Sequence, residues 1–330
     1  MKMNNYKIYE VLKFMPKDIN EMIEKLPALI LDSIEEIRLR LGKPLILYGG
    51  GKEYLLDKNG RLVFDEKNAY ICSIADIKNA VSLVTNFSMY SFEDDIRNGF
   101  VTIDGGHRVG ICGKVVLENG KVRTMRDISF VNYRVARQVL GAADKVLNYI
   151  LSSDHSIYNT LIISPPQCGK TTILRDLIRQ ISSGIPAMGY KGRKIGLIDE
   201  RNEIAACSLG LPKNDVGIRT DVLDGCPKAE GIQIMIRSMS PEIIATDEIG
   251  RSEDAGAVLD AINAGVKIIT TIHGSDIGDF LRKPALDNLH KYLFERYIIM
   301  SRRLGVGTIE AVLDADYKAL KNTLTKEKLQ

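Results

Sequence analysis

The chain has 330 residues, 45% of them hydrophobic, and 45 basic against 42 acidic side chains leave a net charge of +3. That length suits two domains with sizeable cores, and the balanced charge argues against a nucleic-acid footprint or a strongly basic membrane surface. Five cysteines without a Cys-x-x-Cys pair argue against a disulfide framework or a zinc site. No apolar run approaches the ~20 residues that span a bilayer, and residues 1–6 lack a signal-peptide layout. The expectation is a cytoplasmic protein that meets a membrane only by docking on membrane proteins.

Up to about Arg137 the pattern mixes short helices with hairpin strands, which predicts a small α+β domain over residues 1–137. A helix is expected from Ser73, with Ile74, Ile77, Val81 and Val84 at helical spacing. A second, capped by Ser91, should end at Gly99. Strands are predicted over 100–103 and 108–117 through Gly105 and Gly106. The Asn119–Gly120 pair then turns the chain into a strand over 121–125. Gly49, Gly50 and Gly51 form a turn, since no helix start follows them. His107, His155 and His290 lack partners at ligand spacing and are read as structural, and the basic tail over 318–328 as a solvated helix or frayed end.

Residues 138–157 read as a linker containing a helix near 142–151. From residue 158 short apolar strands alternate with helices: 161–163, 194–198, 243–246, 267–271 and 297–300. Alternation of this kind predicts an α/β fold, a mostly parallel sheet covered by helices, over 158–330. Ligands on such sheets bind beyond the carboxyl ends of the strands.

The first of these strands runs into Ser164, Pro165, Pro166, Gln167, Cys168, Gly169, Lys170, Thr171 and Thr172, and a helix follows. A turn that aims several backbone N–H groups inward, with glycine for close approach and the positive end of a helix behind it, is a phosphate cradle. This is the P-loop pattern with Ser164 where the usual motif has glycine. Lys170 supplies charge to the β- and γ-phosphates, and the Thr171 hydroxyl is a Mg²⁺ ligand. The following helix carries Ile173, Leu174, Leu177, Ile178 and Ile181 on one face and stops at Gly184. Cys168 is read as a small residue used for its backbone N–H.

Three further strands end in polar groups. The strand over 243–246 ends at Asp247 and Glu248; Asp247 suits a Mg²⁺ site through a bound water, and Glu248 suits a general base that orients the attacking water. Ser252, Glu253 and Asp254 begin a helix just beyond. The strand over 194–198 ends at Asp199 and Glu200, which could reach the same ion and water, with Arg201 as their alternative ion-pair partner. The strand over 267–271 leads to His273, whose imidazole could bind the γ-phosphate or Glu248 and report nucleotide state.

In this order the motifs resemble the type II and type IV secretion ATPase superfamily of RecA-like/AAA+ motors. The match to its Walker A is 164–172, to its acidic box 198–200, to its Walker B 244–250 and to its histidine box 270–274; 228–241, with Arg237, resembles the segment before Walker B. Within the superfamily the chain is similar to a branch that acts in endospore formation, through 35–44, 105–110 and 164–172. The resemblance implies a RecA-like ATPase domain behind a smaller N-terminal domain, Mg²⁺-dependent ATP hydrolysis and a homohexamer on the mother-cell side. It implies membrane-embedded proteins of the stage III sporulation channel complex as partners. It also implies arginine fingers from the N-terminal domain, chosen among Arg108, Arg123, Arg126, Arg134 and Arg137 with Arg123 and Arg126 first; the chain departs from some type II ATPases in lacking a four-cysteine zinc motif, so no structural metal is expected. Two rival functions remain: a nucleic-acid translocase, disfavoured by the absence of tryptophan and the balanced charge, and a nucleotide-gated scaffold.

Overall fold

The structure is a computed structural model that describes residues 6–322 apart from 89–91, 98, 119, 137, 153–155, 209 and 290–292. The chain divides into two compact units, Met1–Arg137 and Gln138–Gln330.

The first unit opens with three helices, α1 (Tyr6–Leu12), α2 (Lys17–Glu24) and α3 (Ala28–Ser33). Four strands follow: β1 (Ile34–Arg40), β2 (Ile46–Gly49), β3 (Lys52–Leu56) and β4 (Leu62–Val63). Then come α4 (Ile74–Val84), α5 (Glu93–Arg97), β5 (Phe100–Ile103), β6 (His107–Glu118) and β7 (Lys121–Arg134). Among the described residues the strands form one sheet in the order β4-β3-β2-β1-β7-β6-β5, antiparallel throughout. One core joins the helices to the sheet through side chains such as Ile19, Ile37, Ile77 and Val109.

Ser73 caps α4 in a reciprocal box with Asp76, so two otherwise unpaired N–H groups of the first turn are satisfied. Ile77, Val81 and Val84 are buried, while Ile74, at the first helical position, is exposed. α5 occupies the predicted second helix; its expected cap, Ser91, lies outside the described residues. β7 runs nine residues past the predicted strand end, because it pairs with β6 along its length and with β1 at its far end. His107 is buried: its Nδ1 accepts from Ala136 N at 2.9 Å and its Nε2 lies 3.1 Å from Glu10. It is a clamp within this unit, and its neutral tautomer is fixed by these two partners.

The second unit begins with α6 (Asp144–Ile150), β8 (Thr160–Ser164) and α7 (Lys170–Ser183). Two short strands follow, β9 (Gly184–Ile185) and β10 (Tyr190–Lys191), then β11 (Ile195–Asp199), β12 (Thr220–Asp224), α8 (Lys228–Met239) and β13 (Ile243–Thr246). The chain closes with α9 (Ser252–Asn263), β14 (Lys267–His273), α10 (Ile277–Leu281), β15 (Arg296–Ser301), β16 (Thr308–Leu313) and β17 (Ala319–Asn322). The main sheet has the order β12-β11-β13-β14-β8-β15-β16-β17. Neighbours are parallel from β12 to β15, and β16 and β17 are added antiparallel at one edge.

One face of this sheet is covered by α6 and α7, the other by α8 and α9. The five aliphatic side chains predicted for the inner face of α7 are all buried, and each stabilises the packing by about 1.5–3 kcal/mol. The segment read as a linker is structural: Ala143, Val146, Leu147 and Ile150 lie in the core beside α7. The tail read as a helix or frayed end begins instead as β17, because β16 offers it an open edge; residues 323–330 are outside the described set. Among the described residues no helix is long and apolar enough to cross a membrane.

Candidate functional site

The carboxyl ends of β8, β11, β13 and β14 converge where α7 begins. Between β8 and α7 the loop turns back through two left-handed residues, Gln167 (φ 58°) and Gly169 (φ 87°). Ser164, at the position usually held by glycine, needs no such conformation. Its buried hydroxyl donates to Pro165 O at 2.8 Å and helps to fold the loop. Pro166 and Gln167 form the exposed crest, whereas Cys168 is buried with its Sγ 3.5 Å from Pro166 O, which fits a packing residue. Gly169 is the N-cap of α7, so Lys170, Thr171 and Thr172 form its first turn, where free N–H groups favour an anion.

Lys170 reaches across to β14 and to the loop after β13. Its Nζ lies 2.7 Å from His273 Nδ1 and 3.8 Å from Glu248 Oε2, and His273 Nε2 lies 3.0 Å from the same carboxylate oxygen. The ammonium is also 3.0 Å from His273 Nε2, so it stands against both ring nitrogens and close to the Glu248 carboxylate. Burial pulls the Lys170 pKa below its ordinary value, against the opposing effect of Glu248 and Asp247. Arg201 approaches Glu248 from a third direction, at 3.6 Å. Glu248 is therefore a carboxylate drawn by two cationic groups, and it lines a cleft of about 570 Å³ together with Glu200, Arg201 and Lys228. That cleft leaves it within reach of water.

Asp247 is 5% exposed, and its Oδ1 has no aligned hydrogen-bond partner. The nearest cation is the Lys228 ammonium at 3.3 Å, which also pairs closely with Glu200. Burial raises the Asp247 pKa and Lys228 offsets part of that. Burial likewise acts to lower the pKa of Lys228, but Glu200 and Asp247 outweigh it, and the value lies above the ordinary one. Asp247 Oδ1, held among the described residues only by the ammonium contact, and the Thr171 hydroxyl in the first turn of α7 are oxygen donors of the kind a hard cation takes, so the two fit Mg²⁺.

Of the acids at the end of β11, Asp199 turns inward and Glu200 lines the cleft. Asp199 is fully buried and accepts from the N–H groups of Glu203, Ile204 and Ala205 at 2.8–3.0 Å. It builds the loop, with three of its acceptor sites taken by these N–H groups. Glu200 stands with Lys228 rather than against Lys170, and Arg201 turns to Glu248. Asp254 caps α9 by accepting from Gly250 N and Arg251 N. Arg237 is exposed in the last turn of α8.

Lys228 had no role in the sequence reading. A lysine at the first position of a helix opposes the helix dipole, and that misplaced charge beside a proline was its only signal. In the first unit, Arg123 is 3.3 Å from Glu118 and Arg126 is 3.9 Å from Asp127, both largely exposed. Arg134 is 3.6 Å from Glu36, Arg108 stacks on Phe100, and Arg137 lies outside the described residues, as do His155 and His290.

Comparison with known proteins bears on the family and the fold. The stage III sporulation protein AA of Bacillus subtilis (strain 168) is 42% identical over 315 residues, covering 95% of this chain and 97% of its own. The X-ray structure of the Yersinia pseudotuberculosis ATPase DotB matches with a TM-score of 0.57 at 13% identity, over 95% of this chain and 82% of that one. The pilus retraction motor PilT, solved with bound ADP, matches with a TM-score of 0.54 at 16% identity, over 82% and 74%. At those identities the two structures share the fold with this chain. The family described as sporulation stage III, protein AA matches residues 5–320, and this chain belongs to it.

Proposed function

We propose that the protein is a Mg²⁺-dependent ATPase, the motor of a secretion-type channel complex in endospore formation. The observation that carries this reading is the meeting of Lys170, His273 and Glu248 at the mouth of a phosphate loop. Triphosphate in the loop meets the Lys170 ammonium and the free N–H groups at the start of α7, which favour its charge there. Glu248 orients a water and takes its proton as the water oxygen attacks the γ-phosphorus and the bond to the β-phosphate oxygen breaks. His273, beside both Lys170 and that carboxylate, links the strand end of β14 to the state of the phosphates. Bound at Asp247 and Thr171, Mg²⁺ would supply neutralisation of the triphosphate charge.

The channel role follows from family membership and from the likeness of the fold to secretion and pilus ATPases. The partners on this reading are membrane-embedded proteins of that channel, met from the mother-cell side, and other copies of this chain in a homohexamer. Arg123 and Arg126 are the candidates for arginine fingers. The test is equilibrium binding of ADP and ATP to the full chain: Lys170→Ala should abolish it, and wild-type affinity in that variant would remove the phosphate-loop assignment.

A further inference from the structure

We infer that residues 302–307, the loop joining β15 to β16, form the base subsite of the nucleotide pocket, with Leu304 and Val306 as the aliphatic surface beneath a purine ring. The inference rests on the nucleotide reading above and adds where the far end of the nucleotide lies.

The sheet order sets the direction. The phosphate strand β8 has β14 on one side and β15 on the other. All of the groups suited to hydrolysis stand on the first side: His273 on β14 and, next along, Asp247 and Glu248 after β13. The γ-phosphate must face them. The rest of the nucleotide, anchored by its phosphates over α7, extends away from the reacting end, over β15 and β16.

There the chain places a short, fixed loop. Gly307 N donates to Cys168 O at 3.0 Å, which ties the loop to the phosphate loop. A methyl group on Gly169 would meet Val306 Cγ1 at 3.0 Å, so the two loops already touch. The loop is held internally as well: Gly305 N donates to Arg302 O at 3.0 Å, Thr308 Oγ1 donates to Gly305 O at 2.7 Å, and Arg303 pairs with Glu310 at 3.2 Å. The rigid frame nevertheless leaves Leu304 63% and Val306 64% exposed. Exposed aliphatic side chains on a fixed loop suit a flat apolar face that covers them. Aliphatic contact gives affinity without reading the base edge, so this surface accepts any purine.

Binding of ADP and of inorganic tripolyphosphate to the full chain separates the base from the phosphates. In a Leu304→Ser/Val306→Ser variant, ADP should bind about tenfold more weakly, the scale expected for losing two aliphatic contacts, while tripolyphosphate affinity stays at the wild-type value. Unchanged ADP binding would overturn the subsite. Equal loss of both ligands would also overturn it, because the loop would then only brace the phosphate cradle. A change in oligomeric mass with ADP affinity unmoved would assign the surface to a second copy of the chain and overturn it too. Wild-type protein that binds neither ligand would contradict the nucleotide reading itself. Should the variant not fold, photolabelling of wild-type protein with 8-azido-ADP should mark the peptide containing 302–307, and labelling only elsewhere would contradict the inference.

Discussion

At the scale of single residues, the most informative group is a lysine in the wrong place. Lys228 is buried, at the positive end of α8, and survives there because Glu200 and Asp247 surround it. Replacing it with methionine leaves two partly desolvated carboxylates without a counter-charge. Lys228→Met should therefore lower unfolding stability by about 3 kcal/mol, read from urea titrations; an unshifted midpoint would mean that the pair contributes nothing. His107 gives a pH-dependent prediction in the other unit. Burial outweighs the effect of Glu10 and lowers its pKa from 6.5 to about 4. Between those values the unfolded chain binds a proton that the folded unit refuses. Stability is therefore full above about pH 6.5 and falls as pH drops toward 4, by up to about 3 kcal/mol from this residue. A His107→Gln variant should show a flatter profile over that window, and an identical slope would contradict the clamp.

At the scale of elements, the turn into α7 depends on backbone geometry that side-chain chemistry cannot replace. Gly169 is left-handed and has Val306 against the space where a Cβ would go. Gly169→Ala should cost about 1–2 kcal/mol of stability and weaken nucleotide binding by more than tenfold, measured by ADP titration. Retained affinity would show that the loop tolerates another path. This junction was legible in advance because Gly169, Lys170 and Thr171 sit between an apolar strand and an amphipathic helix, and local pattern determines such a motif. β12 was not legible: Thr220, Asp221 and Asp224 put polar groups along an edge strand, which has one neighbour and needs no continuous apolar run. Asp199 was misread for a related reason. Its position after β11 looks the same in sequence whether the carboxylate faces an ion or folds back on the N–H groups of the next turn. Only the path of residues 203–205 decides, and that path is fixed by tertiary packing of Ile204 and Ala205.

At the scale of the whole molecule, the candidate site is assembled from the ends of four strands, and the proposed motor role calls for other chains. A homohexamer predicts that ATP turnover per chain rises with protein concentration and that the mass with nucleotide bound is six times that of the monomer. Concentration-independent turnover by a monomer would contradict the assembly while leaving the site chemistry untouched. The central claim is the chemistry, and the most direct measurement is ATP turnover by Glu248→Gln beside its ATP affinity. The account predicts affinity near that of the wild type and hydrolysis at least tenfold slower, since a positioned base is worth roughly 10²–10⁴ in rate. Wild-type turnover in that variant would contradict it.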